Sequence, residues 1–424
     1  MAKEMKDSGV KWIGTIPTSW NIQKVKTAFY RSKEEAHIED PVILSLARSG
    51  VKIRDISNNE GQLAESYYNY NPVIEGDLLL NPMDLYSGAN CSISKVSGVI
   101  SPAYINLRTR GNYCPAFYDY YFKTQYWAMA LFAHGKGVSF DNRWTLSPND
   151  LFNYYIPVPD FDEQKRIADF LDRKCAEIDT VIEKTKATIE EYKKLKQSVI
   201  TEAVTKGVRG DRAMKDSGIE WIGEIPSEWD VSCLKRYCRF KTGVTPSTAN
   251  SAWFDGDWNW FTPCDFNDNY YLTDSQRKLS LKAKEDGVAV IIPANTVVII
   301  GIGGTAGKIG LTTDECSCNQ QITALLTDSV YHKYLMYWMV ANTKFLKDTA
   351  LYTTLPILNN ETIGEYLFVA PTNKCEQEEI ADYLDQKCAE IDTLIAKKTS
   401  LLEEMEIYKK SVIFEYVTGK KEVL

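Results

Sequence analysis

Two stretches decide how this chain is built: Met5-Lys6-Asp7-Ser8-Gly9-Val10-Lys11-Trp12-Ile13-Gly14-Thr15-Ile16-Pro17-Thr18-Ser19-Trp20 and Met214-Lys215-Asp216-Ser217-Gly218-Ile219-Glu220-Trp221-Ile222-Gly223-Glu224-Ile225-Pro226-Ser227-Glu228-Trp229. They match at 11 of 16 positions with an offset of 209. A second pair recurs at an offset of 213. Glu163-Gln164, Ile167-Ala168-Asp169, Leu171-Asp172 and Lys174-Cys175-Ala176-Glu177-Ile178-Asp179-Thr180 reappear as Glu376-Gln377, Ile380-Ala381-Asp382, Leu384-Asp385 and Lys387-Cys388-Ala389-Glu390-Ile391-Asp392-Thr393. A fixed long period is the mark of a repeat architecture. The plan is therefore stated twice: short motif, long variable block, long charged segment. The blocks between, about 21–162 and 230–375, share no comparable identity.

The charged segments read as helices. Leu171, Cys175, Ile178, Ile182, Thr185, Ile189, Tyr192, Lys196 and Val199 step by 4 and 3, and so do Leu384, Cys388, Ile391, Ile395, Lys398, Leu402, Met405, Lys409 and Val412. Such a seam suits a coiled coil. Its polar breaks correspond, Thr185 with Lys398 and Lys196 with Lys409, and polar seam positions fix register. The two helices are therefore expected to pair with each other, antiparallel; the other reading sets each seam against a separate partner protein. A helix over 163–204 would be about 60 Å long.

The blocks read as mixed α/β domains of their own. Asn71 to Leu80 is a turn feeding a strand, and Gly287 to Ile300 reads as two strands around Pro293-Ala294-Asn295. Phe117 to Ala133 and Tyr331 to Phe345 read as counterpart helices, and each block runs into an apolar strand, at Tyr154-Pro159 and Tyr366-Pro371. The segments expected are 1–162, 163–207, 208–375 and 376–424. The fold class is α+β, two globular domains separated by two long paired helices.

Composition narrows the function. The 424 residues are 44% hydrophobic and 25% charged, with ten cysteines in no dense pattern and a net charge of −8. No run of about 18 apolar residues suggests a membrane helix, and Met1 to Asp7 lacks the apolar core of a secretory signal. Reduced thiols in a cytoplasm are the expectation. An acidic balance argues against a generally basic nucleic-acid coat. It is uneven, however: residues 21–162 hold 13 Lys+Arg against 15 Asp+Glu, 230–375 hold 13 against 14, and 376–424 hold 7 against 12.

Catalytic patterns fail on inspection. Gly301-Ile302-Gly303-Gly304-Thr305-Ala306-Gly307-Lys308 has Ile302 and Ile309 where a phosphate loop needs Gly and Ser or Thr. Lys308 to Thr313 reads as a strand, not the helix that would hold a pyrophosphate, so a Gly-rich hairpin is expected. Cys316-Ser317-Cys318 is too tightly spaced for zinc, and His37, His134 and His332 are isolated. Asn81-Pro82-Met83-Asp84 lacks the second proline and the aromatic of an amino-methylating loop, and reads as a turn. What remains is polar, aromatic and Gly-rich: Asp257 to Thr262, Gly303 to Lys308 and Asn319-Gln320-Gln321 in the second block, and Met83 to Tyr104 with Lys136 to Trp144 in the first. Asn and Gln suit adenine, Lys and Arg suit guanine or phosphate, and Gly admits close backbone approach.

These motifs closely resemble the specificity subunit of a type I restriction–modification system. The resemblance rests on Trp12 to Trp20 and Trp221 to Trp229, on the helix starts at 163–172 and 376–385, and on Glu75-Gly76-Asp77-Leu78, Gly98 to Tyr104, Gly243-Val244-Thr245-Pro246-Ser247, Trp258 to Thr262, Gly307-Lys308 and Asn319-Gln320. Gly243-Val244-Thr245-Pro246 departs slightly from the family's Gly-Gly-Thr-Pro.

The resemblance implies two target-recognition domains, each reading half of a bipartite, asymmetric site in double-stranded DNA. The helices would set the non-specific spacer and dock two methyltransferase subunits. Restriction subunits would complete the complex. S-adenosylmethionine, ATP and magnesium would enter with those partners; this chain would bind no cofactor or metal, catalyse nothing itself and touch no membrane. The DNA-contact candidates are Tyr86, Ser87, Lys95, Ser101, Tyr104, Lys136 and Arg143 in the first block. In the second they are Thr245, Ser247, Trp260, Thr262, Gly303, Thr305, Lys308, Asn319, Gln320 and Gln321. Leu171, Ile178, Ile182, Ile189, Leu384, Ile391, Ile395 and Leu402 mark the partner-docking helices. The competing readings are a non-DNA coiled-coil scaffold with two ligand-binding domains and a chain with its own methyltransferase activity.

Overall fold

The structure is a computed structural model that describes residues 4–56, 64–83, 85–86, 88, 90–137, 144–267, 269–348, 351–352 and 356–423. Packing divides the chain into two units, Met1–Lys186 with Ser400–Leu424, and Ala187–Thr399. This division cuts through both long helices, whereas the repeat pattern sets each helix apart as a segment of its own. Each helix half belongs to a unit because its seam is buried there.

In the first unit a four-stranded antiparallel sheet runs in the order Phe29–Ser32, Ile105–Thr109, Leu78–Leu80, Cys91–Ile93. The helix Pro115–Trp127 lays Phe117, Tyr118, Tyr121, Phe122 and Tyr126 on it, all buried. Each such ring stabilises by about 1.5–3 kcal/mol relative to exposure. The helix stops short of Ala133 because Met129 turns left-handed, at φ 56°, before a short 3-10 turn at Phe132–His134. A hairpin, Leu44–Ala47 with Gly50–Ile53, flanks the sheet.

The second unit holds a five-stranded sheet, Arg239–Thr242, Ile322–Leu326, Val297–Ile300, Ile309–Thr312, Tyr271–Leu272, and a three-stranded one, Lys278–Leu279, Phe254–Phe261, Ser317–Cys318. Of the two strands expected in Gly287 to Ile300, only Val297–Ile300 joins a ladder. Pro293 lacks a donor, Asn295 is left-handed at φ 57°, and Val288 and Ala289 pack instead beside Trp258, Trp260 and Leu279. The helical stretch near Tyr331 to Phe345 breaks at Asn342 into His332–Ala341 and Thr343–Asp348. Asn342 is buried and donates to Trp338 O at 2.7 Å.

The repeated residues build the same frame in each unit. The motif folds into a hairpin, Met5–Asp7 with Thr15–Pro17 in the first unit and Met214–Asp216 with Glu224–Pro226 in the second. The next strand, Asn21–Lys24 or Trp229–Cys233, pairs antiparallel with the strand before the long helix, Tyr155–Val158 or Leu367–Pro371. Each variable block thus begins and ends side by side, which is why it can change without disturbing the frame. Trp20 and Trp229 donate their indole N–H groups to Glu163 (3.1 Å) and Glu376 (3.2 Å). Gln164 accepts from Cys114 N and donates to Pro159 O, and Gln377 does the same with Tyr331 N and Pro371 O. Tyr120 and Tyr337 donate to Asp172 and Asp385, each at 2.7 Å. Burial, then the carboxylate contact, pushes both phenols far above their usual range, so they remain donors.

The long helices are Phe161–Lys206 and Lys374–Val417. Asp160 and Asn373 cap their first turns through side-chain oxygens. Gly207 (φ 77°) and Gly419 (φ 71°) end them in the left-handed C-terminal cap that glycine favours. These glycines also admit close packing: a Cβ would lie 3.2 Å from Trp229 at Gly207, and 2.4 Å from Pro17 at Gly419.

Within each unit the helix halves run antiparallel. In the first, Phe170 packs on Tyr416 with ring centres 4.4 Å apart, and Lys409 reaches Asp179 at 2.6 Å. In the second, Lys196 reaches Asp392 at 2.8 Å, and Arg209 just past the helix reaches Glu379. Lys196 and Lys409 correspond in the repeat, as do Asp392 and Asp179, so one register device appears twice. The Lys196 side chain is 10% exposed and its partner Asp392 47%. Replacing Asp392 by Ala strands a desolvated ammonium and should cost about 1–3 kcal/mol. Lys196→Met removes the charge at similar volume and should be nearly neutral or stabilising. Thermal melting of D392A, K196M and the double variant checks this; equal losses for the two single variants would contradict it.

Candidate nucleic-acid interface

In the second unit the polar candidates converge on one edge. The segments carrying Thr245, Trp260, the Gly303 hairpin and Asn319-Gln320-Gln321 are stitched together. Val244 N donates to Cys318 O at 3.0 Å, Trp260 Nε1 to Val244 O at 3.2 Å, and Asn319 N to Phe261 O at 3.0 Å. Gln321 donates to Ile302 O at 3.3 Å, and its own carbonyl accepts from Gly301 N at 2.7 Å. Gly243 makes the junction possible, since a Cβ there would lie 2.3 Å from Cys318 O. Gly301 to Lys308 is the expected hairpin, joining antiparallel strands Val297–Ile300 and Ile309–Thr312. A strand stands where a pyrophosphate-binding helix would begin.

The convergence sorts the candidates by role. Thr245, Ser247, Thr305 and Gln320 are exposed, with the Thr245 hydroxyl donating to the Gln320 side-chain oxygen Oε1; Lys308 and Gln321 are half-buried at the same edge. Gly303, left-handed at φ 112°, lies where a Cβ would be 3.5 Å from Gln321 Nε2. Trp260 is only 2% exposed, because its N–H is taken by the Val244 carbonyl and its ring packs into a side core, so it is a wall and not a contact surface. Asn319 is likewise 8% exposed and bonds Gln321 through both ends of its amide. Thr262 is committed to Asp265, whose carboxylate accepts from both its N–H and its hydroxyl.

The first unit is looser. Tyr86 is 64% exposed, 6.3 Å from the Phe132 ring, and Phe132 in turn packs on Trp144. Lys136 is exposed, its backbone paired with Thr145, and Leu146 N anchors that loop to Pro82 O at 2.8 Å. Tyr86 and Lys136 are thereby brought to one region. Arg48, absent from the sequence candidates, joins it: a Cβ on Gly88 would lie 4.0 Å from its guanidinium. Lys95 is exposed on a separate turn. Ser101 forms another turn with Tyr104, where Arg31 donates to Pro102 O at 3.2 Å and Tyr104 packs half-buried on a small apolar cluster. Ser87 and Arg143 lie outside the described residues. Asn81 turns inward, its side chain accepting from Met83 N and its carbonyl from Tyr126 OH, as a strand-end turn does.

The helix residues marked for partner docking face the chain itself. Leu171 lies in one buried core with Val412, Ile413 and Val417, and Leu384 in another with Ile200, Ala203 and Val204. Ile178, Ile182, Ile189 and Ile391 are buried and Ile395 and Leu402 half-buried. A heptad seam serves its own coiled coil first, so an incoming protein meets the other helix faces.

Among the described residues no group of three or more His, Cys, Asp or Glu is placed to hold a metal. Cys316 and Cys318 lie buried in and beside a strand, and burial lifts both thiols, Cys318 to about 12. Cys264 and Cys375 are exposed. Native alkylation at pH 8 should label those two and spare Cys91, Cys238, Cys316 and Cys318, slowed roughly a hundredfold or more by lost thiolate and access. Peptide mapping after brief iodoacetamide treatment checks it; rapid labelling of Cys318 would contradict the buried strand. No helix among the described residues is long and apolar enough to cross a membrane.

Comparison with known proteins finds sequence and fold relatives. Residues 226–404 match the model of the type I restriction modification DNA specificity domain. The MjaVIII specificity subunit of Methanocaldococcus jannaschii is 25% identical over 375 residues, 82% of this chain and 80% of that one. The chain is similar in sequence to specificity subunits of type I restriction–modification systems. The MjaIX specificity subunit of the same organism is 30% identical over 190 residues, so this chain spans only 43% of its length and 44% of its own. A solved chain from work on complex assembly and conformational transition of the type I R-M system superposes at TM-score 0.74 and 16% identity, covering 96% of this chain and 99% of that one. That likeness concerns the fold. In this fold two unlike blocks are each enclosed by a hydrogen-bonded frame, and the frame is the repeated, shared part.

Proposed function

We propose that this chain is the DNA-sequence-specificity subunit of a type I restriction–modification enzyme, a non-catalytic component that directs adenine methylation and restriction to a bipartite site. One observation carries the reading: an identical hydrogen-bonded frame surrounds two unlike blocks. Frames should be alike when they meet two copies of one partner, and blocks should differ when they read different half-sites. The helix lengths set the spacer between the halves.

Methyltransferase subunits dock on the outward helix faces. Supporting this, exposed apolar side chains recur at matched positions, Val181 with Leu394 (42% and 41% exposed) and Leu195 with Tyr408 (48% and 49%). On each helix the two sites are two heptads apart, hence on one stripe. S-adenosylmethionine, ATP and magnesium enter with the methyltransferase and restriction subunits. Near-neutral domains suggest that the lone chain binds DNA weakly and that partners supply much of the phosphate contact. The inward turn at Asn81 and the strand after Lys308 disfavour a methyltransferase centre in this chain.

Selection from a random duplex library, with the chain assembled on its methyltransferase partner, tests the reading. Two short conserved elements separated by a fixed, unconserved gap are expected. Recovery of no consensus would favour the non-DNA scaffold, and methyl transfer by the purified chain alone would favour the enzyme.

A further inference from the structure

The second block holds an exposed cation, Arg277, in contact with two aromatic rings. Its guanidinium lies 4.9 Å over the Trp260 ring and 6.0 Å from Phe254. Among the described residues it has no carboxylate or carbonyl partner. Arg209, Arg212 and Arg239 of the same unit each face a carboxylate.

Its platform is built with some effort. The strand Phe254–Phe261 bulges between Phe254 and Trp258, with Asp255 left-handed at φ 58°. Gly256 is so tightly packed that a Cβ would lie 2.4 Å from Ser280 Cα. The bulge lets Phe254 and Trp260, six residues apart, reach one side chain. Trp260 is immobile, its N–H held by Val244 O and its backbone N–H by Ser275 Oγ at 3.0 Å. The Arg277 carbonyl is held too, by the Ser275 hydroxyl at 2.7 Å. Beside the guanidinium opens a polar cleft of about 520 Å³ lined by Phe254, Asp255, Gly256, Gln276, Arg277 and Lys278. Through Val244, the Trp260 platform is one residue from the exposed Thr245–Gln320 pair.

An arginine stacked on a ring loses little further freedom on binding and keeps its edge of N–H donors free. That fork fits the O6 and N7 acceptors of guanine in the major groove, and Arg bidentate to guanine is the commonest specific base contact. We propose that Arg277 is a specificity-determining residue of the second domain, presenting its fork to a guanine of the second half-site. The inference rests on the proposed DNA-reading function.

Mapping methylated adenines in cells that express the chain with its methyltransferase partner tests it. In Arg277→Ala, one guanine position of the second half-site should lose discrimination by roughly ten- to a hundredfold. The rest of that half-site and the whole first half-site should be unchanged. Arg277→Lys keeps charge and most of the volume but not the fork, and should relax the same position even if the alanine variant assembles poorly. An unchanged consensus in both variants would overturn the proposal. So would uniformly weaker methylation with the consensus intact, which marks a phosphate contact or a structural role. If the unaltered chain yields no bipartite consensus, the DNA-reading function itself fails, a result distinct from failure of Arg277 alone.

Discussion

Replacing Trp229 by Ala should cost the second unit about 3–5 kcal/mol, the largest loss expected from any single side chain of the frame. The indole is fully buried, meets Tyr334 edge-on at 6.5 Å and supports the Gly207 cap. Its N–H also satisfies Glu376, a carboxylate whose side chain is 4% exposed and whose other partners are Arg212 and Arg209. Truncation therefore opens a cavity and removes a donor from a buried charge. Trp229→Phe keeps most of the volume and should cost only about 1–3 kcal/mol, the price of the lost donor. Trp20→Ala, which strips Glu163 and the Gly419 packing, should destabilise the first unit comparably. Denaturant titration reads these losses. A change under about 1 kcal/mol for W229A would mean that the repeated motif does not hold the frame.

Exchanging residues 21–162 for the corresponding block of a relative should replace one half-site completely and leave the other untouched. The exchange carries the whole closing strand pair, Tyr155–Val158 with Asn21–Lys24, and Asn21 pairs with Val158 next to its two ends, so the new block enters and leaves close together. Trp20 and Glu163 stay outside it and keep their hydrogen bond. Contacts that must travel with the block are Tyr120 to Asp172 and Cys114 N to Gln164, so a donor block needs a phenol and a free N–H at those places. Methylation mapping of the chimaera reads the outcome. If both half-sites changed, or neither, the blocks would not be independent readers.

Much of this architecture was legible because repetition and periodicity survive in one dimension. The offsets of 209 and 213 exposed the frame, and the steps of 4 and 3 exposed the seam. Matched lysines in that seam suggested pairing between the helices; their aspartate partners, equally matched, were visible only after the halves were laid antiparallel. Tyr120 and Tyr337 were hidden because they sit in unlike blocks, 217 apart, outside either repeat offset. The candidate interface was less legible. Trp260 and Asn319 have the side chains of contact residues but spend them on neighbouring backbone and on Gln321. Arg277 shows no local pattern, since a bulge and two distant aromatic rings define its surroundings. Seam residues such as Leu171 and Leu384 looked like docking surface because a heptad does not say whether its partner lies in the same chain.

The central claim is that one duplicated frame presents two different readers of DNA. It is tested most directly by mapping methylated adenines genome-wide in a methylation-free host that expresses this chain with its methyltransferase partner. The account predicts a single asymmetric motif of two unlike elements at one fixed spacing, lost when this chain is omitted. A continuous motif, a palindrome, or the same motif without this chain would contradict it.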